Sequence, residues 1–174
     1  MPALCRVNPL ESAILSVPPR VAPTARMAQI RKSVLVEHSA ADMYRLVNGV
    51  ADYPAFLPWC AGAEVSDSSE TSLLATLHVN YHGIKAHFST ENQNKPAQSI
   101  RMQLREGPFR QLDGEWRFTP LGETACKVEF FLHYEFAGHL LEKVLGPVFN
   151  HIANTFVEAF VKRADQLGKQ KQPE

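Results

Sequence analysis

Seven histidines and three cysteines hold most of the acid–base, nucleophilic and metal-binding potential of this chain of 174 residues. His38, His78, His82, His87, His133, His139 and His151 include no HExxH pair or comparable helical ligand spacing. His78, His87 and His133 fall on the polar phase of alternating segments, which reads as surface. Cys5, Cys60 and Cys126 form no CxxC pair, and an odd count without a framework points to a reducing compartment. Cys60 is a candidate thiol nucleophile, but no neighbouring residue marks an activating base, so it reads as an inert, partly buried cysteine. No G-x-S-x-G elbow and no glycine-rich phosphate loop occur. Glu91 and Asp113 are outward or near turns, so no inward carboxylate offers itself for proton transfer. These residues predict no catalytic group, no catalytic cofactor and no metal site.

The most distinctive run is 52–60, Asp-Tyr-Pro-Ala-Phe-Leu-Pro-Trp-Cys. Pro54 and Pro58 each remove an amide donor and restrict the preceding residue, so the run cannot be a long helix. It is too apolar for an ordinary solvated loop. Two readings stay open: the segment plugs a core, or it forms one wall of an apolar cavity.

The elements that must position these residues follow from periodicity. Residues 30–36 are rich in β-branched types and read as a strand. Ser39 is a helix N-cap with Asp42 in the capping-box position, and Met43, Leu46, Val47 and Val50 share one helical face until Asn48-Gly49 stops it. Asp52 and Pro54 start a second, very short helix. Residues 71–81 alternate, with Leu73, Ala75, Leu77, Val79 and Tyr81 on one face, and His82-Gly83 reads as a two-residue hairpin turn. That turn sets Tyr81 opposite Ile84, Val79 opposite Ala86 and Leu77 opposite Phe88. Further alternating segments begin near Ile100, Leu112 and Cys126, separated by turns at Gly107-Pro108 and Pro120–Gly122. The last element is a helix over 147–167, about 30 Å long, with Val144, Val148, Ile152, Phe156 and Phe160 on one stripe, Leu141, Leu145, Phe149 and Ala153 beside it, and Gly168 as its stop.

This order predicts an α+β fold, a curved antiparallel sheet with helices on one face and a long C-terminal helix across it. Large inward residues (Phe88, Met102, Trp116, Phe118, Phe130, Phe136, Phe149, Phe156) are interspersed with small ones (Ala75, Ala86, Gly114, Ala153). A filled core and a ligand cavity both fit that composition. Lys+Arg and Asp+Glu are 18 each, which gives no support for binding to nucleic acid mainly through bulk charge, and no DNA partner is expected. No apolar run approaches the roughly 18 residues of a membrane span. Residues 1–26 are proline-rich and aperiodic, with three arginines against one acid. They read as an upstream start or disordered extension, or else as a targeting peptide, which the prolines disfavour. The domain is expected over 27–168, with 169–174 a disordered tail.

The motifs Ser39-Ala-Ala-Asp-Met-Tyr-Arg-Leu-Val-Asn48, Asp52 to Cys60, Gly107-Pro-Phe109, Leu112-Asp-Gly-Glu-Trp-Arg-Phe118 and Cys126-Lys-Val128 resemble those of the coenzyme Q-binding proteins. These are START-like, helix-grip proteins often labelled polyketide cyclases, and their RatA-type branch is similar in the same motifs. The resemblance covers roughly residues 27–167. It implies a sheet of six or seven strands around the long helix, a hydrophobic tunnel, and non-enzymatic binding of ubiquinone or a similar polyprenyl lipid in support of respiration or quinone synthesis.

On that expectation Phe56, Leu57, Pro58 and Trp59 form a lid or mouth. Leu77, Val79, Tyr81, Phe88, Met102, Trp116, Phe118, Phe130, Tyr134, Val148, Phe149, Ile152 and Phe156 line the tunnel. Tyr81 or Tyr134 would meet a quinone carbonyl, and Val148→Trp would fill the tunnel without unfolding the protein. The RatA branch implies an alternative: a toxin that binds the large ribosomal subunit and blocks subunit association, with Arg101, Arg105, Arg110, Arg117 and Lys127 as outward candidates, diluted by Asp113, Glu115 and Glu129. A second alternative is a polyketide cyclase. The expected location is the bacterial cytoplasm, with transient contact at the inner membrane, or a mitochondrion if residues 1–26 are a targeting peptide.

Overall fold

The computed structural model describes residues 27–170, so the expectations for 1–26 and 171–174 lie outside the described residues. One antiparallel sheet of seven strands dominates. Its strands are β1 (Ala28–Val36), β2 (Cys60–Ser66), β3 (Ser72–Tyr81), β4 (Ile84–Lys95), β5 (Ser99–Glu106), β6 (Phe109–Pro120) and β7 (Cys126–Phe136). Their spatial order is β1-β7-β6-β5-β4-β3-β2, a meander from β2 to β7 with β1 added beside β7. Helix α1 (Ala40–Asn48), a 3-10 turn (Val50–Ala55) and helix α2 (His139–Gln170) accompany it. Both helices pack on the sheet, α2 against β7 and β1, and α1 against β5, β6 and β7.

Local chemistry explains these boundaries. The Asp42 amide donates to Ser39 Oγ at 3.1 Å, so Ser39 caps the helix as expected, and its hydroxyl donates to Asp42 Oδ2 at 2.8 Å. The β3–β4 hairpin has the expected register, Tyr81↔Ile84, Val79↔Ala86 and Leu77↔Phe88. Its two turn residues, His82 and Gly83, have φ of 49° and 80°, both in the left-handed region that the favoured two-residue hairpin requires. Gly107 (φ 146°) is needed for a second reason: a Cβ there would lie 2.7 Å from Phe88 Cβ.

Three bulges bend the sheet, at Cys60/Gly62, at Ser89/Thr90 and at Phe109/Gln111. The third inserts Arg110 as an extra residue, which turns Phe109 inward as well as Leu112.

The structure corrects several expectations. Strand β2 was not read from the sequence; its run Cys-Ala-Gly-Ala-Glu-Val-Ser carries no large alternating apolar residues. Helix α2 has 32 residues, about 48 Å, and begins two turns before Pro147 rather than at it. Pro147 lacks the amide that would bond the Lys143 carbonyl, so it sits inside the helix at the cost of one bond. Gly168 does not stop the helix. A Cβ there would lie 3.4 Å from the ring of His38, whose Nε2 is 2.7 Å from Asp165, and the helix runs on through Lys169 and Gln170. Leu141 and Val144 are exposed, so the apolar stripe of α2 is buried only from Leu145 onward. Gly114 leaves no room of its own, because the Met102 methyl fills the space a Cβ would take.

The core holds two groups of rings. Trp116, Phe130, Phe156, Phe160, Tyr53 and Phe56 form one, with Phe156–Phe160 centroids 5.0 Å apart and Trp116–Phe130 at 4.5 Å. Phe88, Phe109, Tyr134, Phe136 and Phe149 form the other, with Phe109–Phe149 at 4.7 Å and nearly perpendicular. Most contacts in both are edge-to-face, the favoured geometry of ring quadrupoles.

Candidate functional site

Between the two groups of rings the sheet and α2 leave an apolar cavity of about 70 Å³. Phe130 and Phe156 bound it from one group, and Phe88 and Phe149 from the other. Tyr53 and Trp59 close it on the side of the 3-10 turn. Small-molecule sites usually enclose roughly 300–1,000 Å³. A quinone ring with a prenyl tail therefore needs these walls to separate before it enters.

Of the residues expected to line a tunnel, Trp59, Leu77, Phe88, Met102, Phe130, Phe149, Ile152 and Phe156 do face this cavity. Leu57, Val79, Trp116, Phe118, Tyr134 and Val148 are buried but face packed core instead. Trp116 lies parallel to Phe118, and Phe118 meets the edge of Tyr44, so these rings anchor α1 to the sheet. Phe56, Pro58 and Tyr81 lie elsewhere, on an open outer groove of about 440 Å³ beside α2, with the edge of Trp59. The expected lid is thus divided: Leu57 and Trp59 plug the interior, while Phe56 and Pro58 face outward.

The cavity carries one polar feature that sequence reasoning missed. Thr90 and Asn92 are buried on its wall, and Thr90 Oγ1 donates to Asn92 Oδ1 at 2.9 Å. Two residues further along β4, buried Asn94 donates from Nδ2 to Asn48 Oδ1 at 2.9 Å, while its own Oδ1 has no partner among the described residues. The signal was present in the hairpin register: inward Phe88 implies inward 90, 92 and 94. The polar composition of that half of β4 concealed it.

Burial holds the described interior thiols and phenols toward their neutral forms. Burial pushes the Cys60 thiol up from its ordinary range, against a smaller opposing effect of a backbone hydrogen bond at Gly62. Burial also raises Cys126 and Tyr134. Tyr53 is raised furthest, by burial first and by the nearby Cys60 second, and its hydroxyl donates to the Val47 carbonyl at 2.6 Å. Among the described residues no group of three or more His, Cys, Asp or Glu side chains could hold a metal ion. No helix among them is long and apolar enough to cross a membrane.

The outer face of the sheet is a lattice of ion pairs. Arg101 and Arg117 both meet Glu115 (3.8 and 3.0 Å), Arg110 meets Glu135 (3.0 Å), Lys127 meets Glu129 (2.8 Å), and Arg105 pairs with Glu91. Every cation expected to face phosphate is therefore already matched to a carboxylate.

A curved seven-stranded sheet gripping one long helix over an apolar interior defines a helix-grip protein. Residues 36–161 match the family of polyketide cyclases/dehydrases and lipid transport proteins, and the chain belongs to that family. The ribosome association toxin RatA of Vibrio cholerae serotype O1 is 46% identical over 141 residues, spanning 81% of this chain and 98% of that protein. The mitochondrial coenzyme Q-binding protein COQ10 homolog B of Xenopus laevis is 26% identical over 154 residues, spanning 86% of this chain and 63% of that protein. The solved Zhui aromatase/cyclase of a Streptomyces species superposes with a TM-score of 0.68 at 18% identity, covering 81% of this chain and 95% of that one, which is a likeness of fold. The expected START-like, RatA-type grouping holds.

Proposed function

We propose that this chain acts by associating with the ribosome as a RatA-type toxin, and that it does so without catalysis. The observation that carries this reading is the 46% identity over 141 residues to a protein named for ribosome association, nearly all of whose length is matched. The interior supports the same choice. A cavity of about 70 Å³ is too small for a prenyl lipid in this conformation. The buried polar side chains Ser89, Thr90, Asn92 and Asn94 include no acid or base to serve a cyclisation. By resemblance to the RatA proteins, the partner in this reading is the large subunit and the location is the bacterial cytoplasm.

The test is sedimentation. Purified protein is mixed with separated bacterial ribosomal subunits under conditions that favour joining. Co-migration with the large subunit and a reduced yield of joined ribosomes is the expected result. Protein left at the top of the gradient, with joining unaffected, overturns the reading.

A second reading, ubiquinone binding, draws on the Thr90–Asn92 pair, a polar spot in an otherwise apolar cavity, and on the Xenopus relative. It requires the walls to move apart. Native mass spectrometry with lipid extraction on protein from a quinone-containing host checks it. A co-purifying polyprenyl quinone supports it, and failure to take up added quinone removes it.

A further inference from the structure

The paired cations of the sheet face leave open which surface would meet the ribosome. That face also holds Arg31, 4.9 Å over the Phe131 ring, and Lys32, neither in a salt bridge among the described residues, but the outer groove beside α2 sets its cations along a longer row of rings. Lys162 and Arg163 on its wall make no salt bridge within 4.0 Å among the described residues. They also stand among partly exposed rings. The Arg163 guanidinium lies 5.6 Å over the Phe56 ring. Exposed His151 stacks on Tyr81 with centroids 5.2 Å apart and planes 22° from parallel. Glu158 is the one carboxylate on the lining among the described residues, against Lys162 and Arg163. From His151 to Gln166 it follows α2 for about 22 Å at 1.5 Å per residue.

Flat rings beside unmatched cations are what unpaired RNA requires: bases stack on aromatic faces and phosphates meet the charges. A protein partner would meet few free backbone groups here, because the groove is floored by a helix and rings. We propose that this groove is the surface that takes an unpaired stretch of ribosomal RNA, with bases against Phe56, Tyr81 and His151 and phosphates against Lys162 and Arg163. The proposal rests on the ribosome-association reading and names its contact. With the chain neutral overall, such binding depends on local placement. Two phosphate contacts to a single strand give a shallow log–log salt slope of about −1.4.

The experiment uses the full chain, a fluorescein-labelled uridine oligonucleotide of about twelve nucleotides, long enough to fill the groove, the same length of duplex RNA, and the ribosome sedimentation assay. The variants are Lys162→Glu/Arg163→Glu, His151→Ala, and Arg117→Glu on the sheet face as a control. All alter side chains outside the core, and circular dichroism checks their folding. The expected result is preference for the single strand with the shallow salt slope. The double variant should lose at least about tenfold in RNA affinity, and its ribosome association with it. His151→Ala should lose at least about fivefold, and Arg117→Glu should bind as the parent does. Ribosome association that survives in a folded double variant overturns the groove but leaves the ribosome reading intact. RNA binding lost in the variants, with no ribosome association in the parent, keeps the groove and removes the ribosome as its source. Absence of both overturns both.

Discussion

Tyr53 joins three parts of the molecule through one side chain. Its ring meets Phe156 and Phe160 of α2 edge-on, its hydroxyl caps the Val47 carbonyl at the end of α1, and its own backbone lies in the 3-10 turn. Tyr53→Phe keeps the ring and deletes only the hydroxyl. Leaving a buried carbonyl without that donor should cost about 1 kcal/mol. For a chain of this length that lowers the thermal midpoint by roughly 2–4 °C. Calorimetry reads it directly, and an unchanged midpoint would mean the carbonyl finds another donor. Cys60 and Cys126 give a second residue-scale test. Both thiols are buried and both are pushed up by that burial, so less thiolate is available than in a free cysteine. At pH 8 their peptides should take up iodoacetamide only after denaturant is added, as followed by peptide mass spectrometry. Rapid native labelling at Cys60 would revive it as a nucleophile.

At the scale of elements, the bends and the helix carry the tests. Gly107 joins β5 to β6 with φ 146° and Phe88 against its Cα, so Gly107→Ala brings both backbone strain and a clash. A loss of about 1–3 kcal/mol in a denaturant titration is expected. On α2, Val148 is buried in packed core and does not face the cavity, so Val148→Trp overpacks rather than blocks a tunnel. It should destabilise the fold by about 1–3 kcal/mol or more. Ala153 does face the cavity, and Ala153→Leu can place its extra carbons there. It should stabilise by on the order of 1 kcal/mol. A drop in midpoint for Ala153→Leu would show the cavity to be less accommodating than its volume.

These elements also mark how far the chain could be read unaided. The β3–β4 register was legible because its turn chemistry and both apolar phases agreed. Strand β2 was not, because pairing with β3 defines it and its own small residues carry no phase. The start of α2 was misplaced because Pro147 reads as a first-turn residue, whereas the turns before it tolerate one lost bond. The cavity's aromatic walls were visible as inward residues. Their division between lining and packed core was not, since periodicity reports a face and not a depth.

For the whole molecule, the neutral balance of charge and the paired cations of the sheet mean that any interaction with RNA must be local. The same packing that leaves so little space inside makes the outer surface the more economical place for function. The interior then serves as a rigid mount. Its two groups of rings fix α2 from Phe149 to Phe160, and α2 in turn holds His151, Lys162 and Arg163.

The sheet order has one more consequence, which concerns how the protein is made. Every strand from β2 to β7 lies beside its neighbour in sequence, so each hairpin can close soon after it is synthesised. β1 is the exception: Ala28 finds Tyr134, and Val36 finds Cys126. Among the described residues, the first strand to be synthesised is therefore a β-branched edge without a partner until β7 appears. Pairings this distant in sequence slow folding, and unpaired edges are where nascent chains aggregate. The charged pair Arg31 and Lys32, set within β1, supplies the usual protection for a strand that must wait.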